Sequence, residues 1–150
     1  MLVYRIENAS GGGMYRPDGL SSYTCPLEEI MDALPDPHMY KEALSNILGR
    51  DAYDYSSIHV SPADDFPWKV WRHIPCTVQW KYRFAFPTII SLLSWVYMKE
   101  WREELHRRGF KVSVYEAEAI VSDSGAQAIF MKKRSKKVGE ISLLEVESAV

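Results

Sequence analysis

The sequence predicts an α+β fold with a mostly antiparallel sheet. Helical patterns occupy the first half and the centre of the chain, whereas strand patterns cluster in the last third. This order differs from the regular alternation of a doubly wound α/β fold. Apolar residues make up 47% of the 150 residues, which is enough for one hydrophobic core. We therefore expect a single domain over 1–150, with a frayed tail at about 147–150.

The first half of the chain combines one strand with two helices. Alternating side chains predict the strand at 2–7, and three consecutive glycines end it. A short helix is predicted at about 26–34 and a second at 36–48, which starts with an Asp-Pro pair. Residues 50–76 mix acids, serines, prolines and aromatics, which is typical of a functional or mobile loop.

The second half contains the clearest patterns. Aromatic and polar residues alternate over 78–86 and predict a strand. Pro87 ends this strand and opens one long central helix over 88–108, which Gly109 terminates. Three further strands are predicted at 111–121, 127–133 and 138–146.

The composition disfavours a nucleic-acid-binding, membrane or secreted protein. A net charge of −2 lacks the broad positive field of a general duplex binder, so nucleic acid is an unfavoured partner. The most apolar stretch, 89–98, is too short to cross a bilayer, and no signal peptide is recognisable. We expect a cytoplasmic protein with no membrane partner. Cys25 and Cys76 lack metal-ligand spacing and are expected as reduced thiols, with one disulfide as the alternative.

Arg5 and Glu7 are the first candidate site residues, because they share one face of the first strand. They could form a surface pair with each other, or line a cleft in which Arg5 holds a phosphate or carboxylate. Tyr15 and Arg16 follow the glycines. The run "GGGMYR" lacks the GxxxxGK[ST] pattern of a phosphate loop, so a flexible turn is the favoured interpretation.

Three further features carry candidate chemistry. His59 is the only histidine in a plausible site loop, although a solvated loop histidine is the common case. Asp64 and Asp65 have no third acid at regular spacing, so no metal site is expected. Five of the six residues at 132–137 are basic. This run could contact nucleic acid or an acidic partner, or form the solvated end of a hairpin.

Short sequence pieces, taken in order, resemble a set of small phage and prophage proteins. Two departures are Met14, where proline is usual, and Thr88, where serine is usual. The resemblance implies a phage accessory protein that acts in phage–host interaction inside the host cytoplasm. The matching pieces are "YRIE" (4–7), "GGMY" (12–15), "SPADD" (61–65), "FAFPT" (84–88), "WVY" (95–97), "LHRRGFKVSVYEAE" (105–118) and "GAQAIF" (125–130).

The same order is similar to a reduced ADP-ribosyltransferase fold. By that resemblance Arg5 would hold the phosphate or ribose of NAD, Thr88 would supply the central hydroxyl, and Gln127 would replace the catalytic glutamate. An amide keeps a hydrogen bond to the ribose but cannot stabilise the charge of an oxocarbenium ion, so the resemblance leaves open whether the chain is an enzyme. The remaining nucleotide-binding candidates are Glu7, Tyr15, Arg16 and His59.

Two functional hypotheses follow from these resemblances. In the first, the chain carries a cleft for NAD or a related nucleotide, without any certain cofactor and with or without catalysis. In the alternative, it is a non-enzymatic inhibitor that binds a host protein of a defence complex.

Overall fold

The computed structural model describes residues 1–13 and 81–150. The helices predicted at 26–34 and 36–48, the loop at 50–76 and the start of the strand at 78–86 lie outside these residues. The described elements, in chain order, are β1 (Leu2–Glu7), β2 (Tyr82–Ala85), α1 (Ile89–Trp95), α2 (Lys99–Arg107), β3 (Lys111–Glu116), β4 (Ala119–Val121), β5 (Ala128–Met131) and β6 (Lys136–Ile141). Helices and antiparallel strands are thus mixed, which confirms the α+β class.

The strands form two three-stranded sheets. The first sheet has the order β1-β3-β6 and the second has the order β2-β5-β4, and every pairing is antiparallel. Tyr4 of β1 and Phe86, just after β2, join the sheets through a bridge in which each N–H donates to the other carbonyl at 2.8 Å. The register places Arg5 opposite Ser113 and Phe84 opposite Ile129.

One face of the first sheet packs against the two helices. Ile6 and Val112 are opposite one another across β1 and β3, and both are buried in this core. The helices contribute five buried apolar side chains to this core. They are Leu92, Leu93, Trp95, Trp101 and Leu105.

The other face of the first sheet packs against the second sheet. Val3 and Tyr115 are buried there with Ala128 and Phe130, and the rings of Tyr115 and Phe130 are 5.2 Å apart. Alternate residues of a strand share a face. Arg5 and Glu7 therefore point in the same direction as Val3, and this periodicity places them between the two sheets.

The helix predicted over 88–108 is divided in two. Val96, Tyr97 and Met98 separate α1 from α2, and all three are buried. The break is stabilised by Arg102, whose Nη1 donates to the carbonyls of Val96 at 2.7 Å and Tyr97 at 2.9 Å. These hydrogen bonds satisfy carbonyl oxygens that a broken helix would otherwise leave without partners.

The C-terminal strands are shorter than predicted and are divided between the sheets. The segment predicted as one strand at 111–121 supplies β3 to the first sheet and β4 to the second. A 3₁₀ helix at Lys132–Arg134 ends the strand predicted at 127–133, and β6 begins before the predicted 138–146. Because β5 and β6 belong to different sheets, the basic run connects two sheets and does not close a hairpin. A second 3₁₀ helix occupies Val146–Ala149, where the sequence predicts a frayed tail from about 147.

Candidate functional site

Arg5 and Glu7 form a buried ion pair between the sheets. Arg5 Nε donates to Glu7 Oε2 at 3.1 Å, and Arg5 Nη1 donates to the carbonyl of Phe84 at 2.7 Å. Only 9% of Arg5 and 2% of Glu7 is exposed. The pairing itself was one of the two alternatives in the sequence, but the pair is not at the surface. Its position follows from the second sheet, which covers this face of β1.

Tyr115 and Lys132 complete what we call the Arg5–Glu7 cluster. The Tyr115 hydroxyl donates to Glu7 Oε1 at 2.5 Å, so both carboxylate oxygens accept a hydrogen bond. Lys132 Nζ is 3.7 Å from Glu7 Oε2 and 5.9 Å from the centroid of the Tyr115 ring. Lys132 is only partly buried, so it marks the boundary between the cluster and solvent.

The cluster holds its members in defined protonation states. Burial acts to raise the pKa of Glu7, but the hydrogen bond from Tyr115 and the positive charges of Lys132 and Arg5 outweigh it, and the pKa is lowered. Burial also lowers the pKa of Arg5, although a guanidinium stays protonated at neutral pH. Burial, and then the bond to Glu7, raises the pKa of Tyr115. At neutral pH the cluster therefore contains a carboxylate, a guanidinium and a neutral phenol.

The glycine run forms a tight turn directly after β1. Asn8 Oδ1 accepts hydrogen bonds from the backbone N–H groups of Ser10 at 3.1 Å and Gly12 at 2.9 Å. Gly11 has a φ of 82°, which favours glycine. The turn returns the chain so that Gly13 forms a β-bridge with Glu7. The sequence prediction of a turn is correct at 11–13.

This turn approaches the cluster more closely than a larger residue would allow. A Cβ atom added at Gly13 would lie 3.0 Å from Arg5 Nη2. A Cβ atom at Gly11 would lie 2.5 Å from Lys132 Nζ. Close packing on Arg5 therefore explains Gly13, whereas the positive φ explains Gly11, because the tip of the Lys132 side chain can move away.

Thr88 caps the first helix. Its Oγ1 accepts a hydrogen bond from the Ser91 N–H at 3.0 Å, and the Thr88 N–H donates to Ser91 Oγ at 3.2 Å. This reciprocal arrangement is a capping box, which satisfies backbone donors at a helix N-terminus. The hydroxyl that the resemblance assigns to a nucleotide site thus has a structural partner.

Gln127 is buried at the start of β5, with 4% of the residue exposed. Its backbone N–H donates to Ser122 Oγ at 3.0 Å, and its carbonyl accepts from the Ser122 N–H at 2.9 Å. Gln127 directly precedes Ala128, which is opposite Ala85 at the end of β2. The topology therefore brings Gln127 towards the end of the strand that leads to Thr88.

Of the seven candidate residues, the structure shows direct contact between Arg5 and Glu7. Tyr15, Arg16 and His59 lie outside the described residues, as do both cysteines and Asp64 and Asp65. Among the described residues, no group of three His, Cys, Asp or Glu side chains could hold a metal ion. In the same part of the chain, no helix is long and apolar enough to cross a membrane.

Arg102 is a buried charged residue that the sequence analysis did not single out. Besides bonding the carbonyls at the helix break, it forms an ion pair with Glu147 near the C-terminus. Burial lowers the pKa of Arg102, and Glu147 opposes this shift. The available signal was the run Val96–Met98, whose β-branched and aromatic residues weaken a helix. Such a signal indicates the break but not which side chain stabilises it.

Most of the basic run at 132–137 is exposed. Two of its five cations contact an acidic side chain within the described residues. Lys132 contacts Glu7, and Lys137 Nζ contacts Glu140 at 2.5 Å. Lys111 Nζ also contacts Glu140, at 2.7 Å, and the hydrogen bonds from the two lysines lower its pKa to about 2. Three exposed cations have no acidic partner within residues 1–13 and 81–150. They are Lys133, Arg134 and Lys136.

Two shallow, open grooves of about 390 and 480 Å³ lie beside the edge strand β6. Both are lined by Glu140, Ile141 and Ser142, at the C-terminal end of β6. Neither lining includes Arg5 or Gln127.

These features define a small α+β protein with a buried Arg5–Glu7 ion pair between its sheets and a basic sheet edge. The family model described as Bacteriophage T4 Y00F protein matches residues 1–144. The chain belongs to this family, which confirms the predicted phage relationship. No curated protein and no solved structure gives a significant match. These comparisons add no support to the ADP-ribosyltransferase resemblance.

Proposed function

We propose that this phage protein acts in phage–host interaction by binding a host protein in the host cytoplasm, without catalysis. The proposal rests on the contrast between a cation that is paired with an acidic side chain and cations that have no such partner in the described residues. Arg5 is buried in contact with Glu7, whereas Lys133, Arg134 and Lys136 are exposed without an acidic partner in the described residues. Inhibition of a host defence complex is the specific form of this function that we favour.

The buried cluster supports a role without catalysis. Arg5 would have to leave both Glu7 and the Phe84 carbonyl before it could bind a phosphate. Breaking a buried ion pair costs about 3–5 kcal/mol, because the partner charge stays buried. Both oxygens of Glu7 are also engaged, so this carboxylate is poorly placed to accept a proton from a substrate.

The exposed cations support binding of a protein. Unpaired surface charges increase the rate of association with a partner of opposite charge and improve specificity. The near-neutral net charge of −2 provides no broad positive field, which disfavours a general nucleic-acid binder. An acidic surface of a host protein fits this local charge better.

The test requires an identified and reconstituted partner. The tagged chain is expressed in the bacterial host, crosslinked partners are identified by mass spectrometry, and the best candidate is purified and titrated by calorimetry. We expect saturable binding that weakens at least about tenfold in the triple variant Lys133→Ser, Arg134→Ser, Lys136→Ser. The matched comparison is between the single variants Lys136→Ser and Lys99→Ser, which remove one charge each, since Lys99 is an exposed lysine on α2. The proposal fails if no purified host protein binds.

Nucleotide binding is the second candidate, and one topological observation favours it. Arg5 bonds the carbonyl of Phe84 on β2, Thr88 follows that strand, and Gln127 precedes the residue opposite Ala85. In this hypothesis NAD or a related nucleotide occupies a cleft near the end of β2. The remaining ligands would be Glu7, Tyr15, Arg16 and His59.

Calorimetry with NAD and ADP-ribose tests the second candidate. If it is correct, Thr88→Ser retains both the cap and nucleotide binding, whereas Thr88→Val removes the hydroxyl and weakens binding. Gln127→Glu would restore the charge that the transferase resemblance requires and should produce NAD cleavage if the rest of the site is present. Absence of heat with either nucleotide rejects this candidate and leaves the first unaffected.

A further inference from the structure

We infer that β6 is a docking edge for an extended acidic segment of a partner protein, which adds to the first sheet as a fourth strand. The inference rests on the proposed function, because it assigns a surface and a binding mode to the proposed protein partner. The expected occupant is an acidic peptide segment, because the strand topology, the exposure and the charge of β6 all fit one.

The topology provides an accessible backbone edge. β6 is the last strand in the order β1-β3-β6, and within the described residues its only strand partner is β3. Five of its six residues are exposed. An edge strand presents a row of backbone donors and acceptors to solvent, and an extended peptide can pair with them. The other side of the sheet differs, because β1 continues to Phe86 through the Tyr4 bridge.

The charge pattern selects the occupant. Lys136 lies at the start of β6, and Lys133 and Arg134 lie just before it, all exposed. An acidic strand alongside β6 would neutralise these cations. In an antiparallel pair of two β6 strands, Lys136 of one copy would approach Glu140 of the other, but Lys133 and Arg134 precede the strand and would gain no acid from it. An acidic segment that continues past the start of β6 neutralises all three cations, so the charge pattern favours it over a second copy.

Two local features shape the contact. The pairing of β6 with β3 shifts register between Val114 and Tyr115, which leaves Val138 as an extra residue between the paired Lys137 and Gly139. Val138 is 51% exposed and offers an apolar contact to one side chain of an incoming strand. The groove at Glu140–Ser142 lies at the far end of β6 and can receive the end of the peptide. A nucleic acid would use the cations but neither the backbone edge nor Val138.

The first experiment separates strand addition from simple charge attraction. The probe is a fluorescein-labelled ten-residue peptide of alternating Glu and Val, and its control is the same peptide with alternate amides N-methylated. Both carry the same charge, but the second cannot form a regular hydrogen-bond ladder. We expect the methylated peptide to bind at least about tenfold more weakly, since several backbone hydrogen bonds are lost. Hydrogen exchange should slow at 136–141 and not at 2–7 on addition of the first peptide.

A matched pair of charge reversals tests the position. Lys136→Glu and Lys99→Glu change the net charge equally, but only Lys136 lies on β6. We expect the peptide to bind several-fold more weakly to Lys136→Glu and unchanged to Lys99→Glu. Equal weakening in the two variants would show that the overall charge, and not the edge, determines binding, and would overturn the inference.

Three other results also overturn it. They are equal binding of the methylated peptide, tighter binding of a ten-nucleotide oligo-dT than of the acidic peptide, and a dimer in sedimentation that Lys136→Glu alters. Different results would reject the inferred docking edge and the proposed function. A host protein that binds the Lys136→Glu and wild-type chains equally supports the function and rejects the edge. Peptide binding at β6 without any host-protein partner supports the edge and rejects the function.

Discussion

The Arg5–Glu7 cluster and the basic run at 132–137 place cations in opposite settings within one small fold. In the cluster, Arg5 and Glu7 are buried and paired with each other, and Lys132 contacts Glu7 at the boundary with solvent. In the run, three cations face solvent without an acidic partner in the described residues. Lys132 belongs to both regions, because it begins the run and contacts Glu7. The buried charges therefore hold the two sheets together, whereas the exposed cations are the ones that we propose for binding a partner.

Glu7→Gln should have the largest effect on stability. The amide removes the charge that compensates Arg5, which stays buried and loses its ion pair. We expect the free energy of unfolding to fall by about 3–5 kcal/mol, measured by urea denaturation at pH 7. The gap between wild type and variant should narrow as pH falls below about 4.3. This sign follows because the pKa of Glu7 is lowered in the folded state, so its stabilisation is lost on acidification.

Glu116→Gln is the matched control for this change. Glu116 is exposed at the end of β3 and contacts the N-terminal ammonium. We expect a loss of less than about 1 kcal/mol, because an exposed ion pair contributes little. Equal losses in Glu7→Gln and Glu116→Gln would contradict the view that the cluster stabilises the contact between the sheets.

Tyr115→Phe should have the next largest effect. It removes the hydrogen bond to Glu7 and keeps the ring that packs on Phe130. We expect a loss of about 1.5–3 kcal/mol at pH 7, the range for a bond to a charged group. Wild type should also lose stability above about pH 10, where the unfolded tyrosine ionises while the folded pKa is raised. A variant with the same alkaline loss as wild type would show that Tyr115 does not cause it.

Gly13→Ala tests the packing of the glycine turn on the cluster. The added Cβ would lie 3.0 Å from Arg5 Nη2, and Arg5 is fixed by Glu7 and Phe84. We expect a loss of about 1–2 kcal/mol by urea denaturation. Gly139→Ala is the control, because a Cβ there meets no atom within 4 Å. If both variants unfold at the same urea concentration as wild type, the turn does not pack tightly on the cluster.

Local patterns predicted several parts of this structure from the sequence. The fold class is correct, β1 occupies the predicted residues, and the glycines end it as expected. Alternation also placed Arg5 and Glu7 on one face, where they pair. Each of these predictions depends on neighbouring residues, whose spacing is visible along the chain. The phage relationship depended on short pieces spread over the chain, and the family match confirms it.

Contacts between distant residues could not be predicted in the same way. The burial of Arg5 depends on the second sheet, and its partner Phe84 is 79 residues away along the chain. Tyr115, which bonds Glu7, is 108 residues away from that carboxylate. The break between α1 and α2 depends on Arg102, which also reaches Glu147. The sequence also gave no signal that β5 and β6 belong to different sheets. Strand partners follow from the global packing, and the local periodicity contains no information about them.

Lys136→Glu should have the smallest effect on stability, because it changes an exposed cation of the basic run and leaves the buried Arg5–Glu7 cluster intact. Lys136 is exposed and has no ion pair among the described residues. We expect the free energy of unfolding to fall by less than about 1 kcal/mol. Lys136 is opposite Glu116 across β6 and β3, so the substitution places two exposed carboxylates opposite each other, and exposed charges interact weakly. Urea denaturation at pH 7 checks this. A loss above about 1 kcal/mol would show that the basic edge, like the buried cluster, stabilises the fold, and the division between structural and binding cations would not hold.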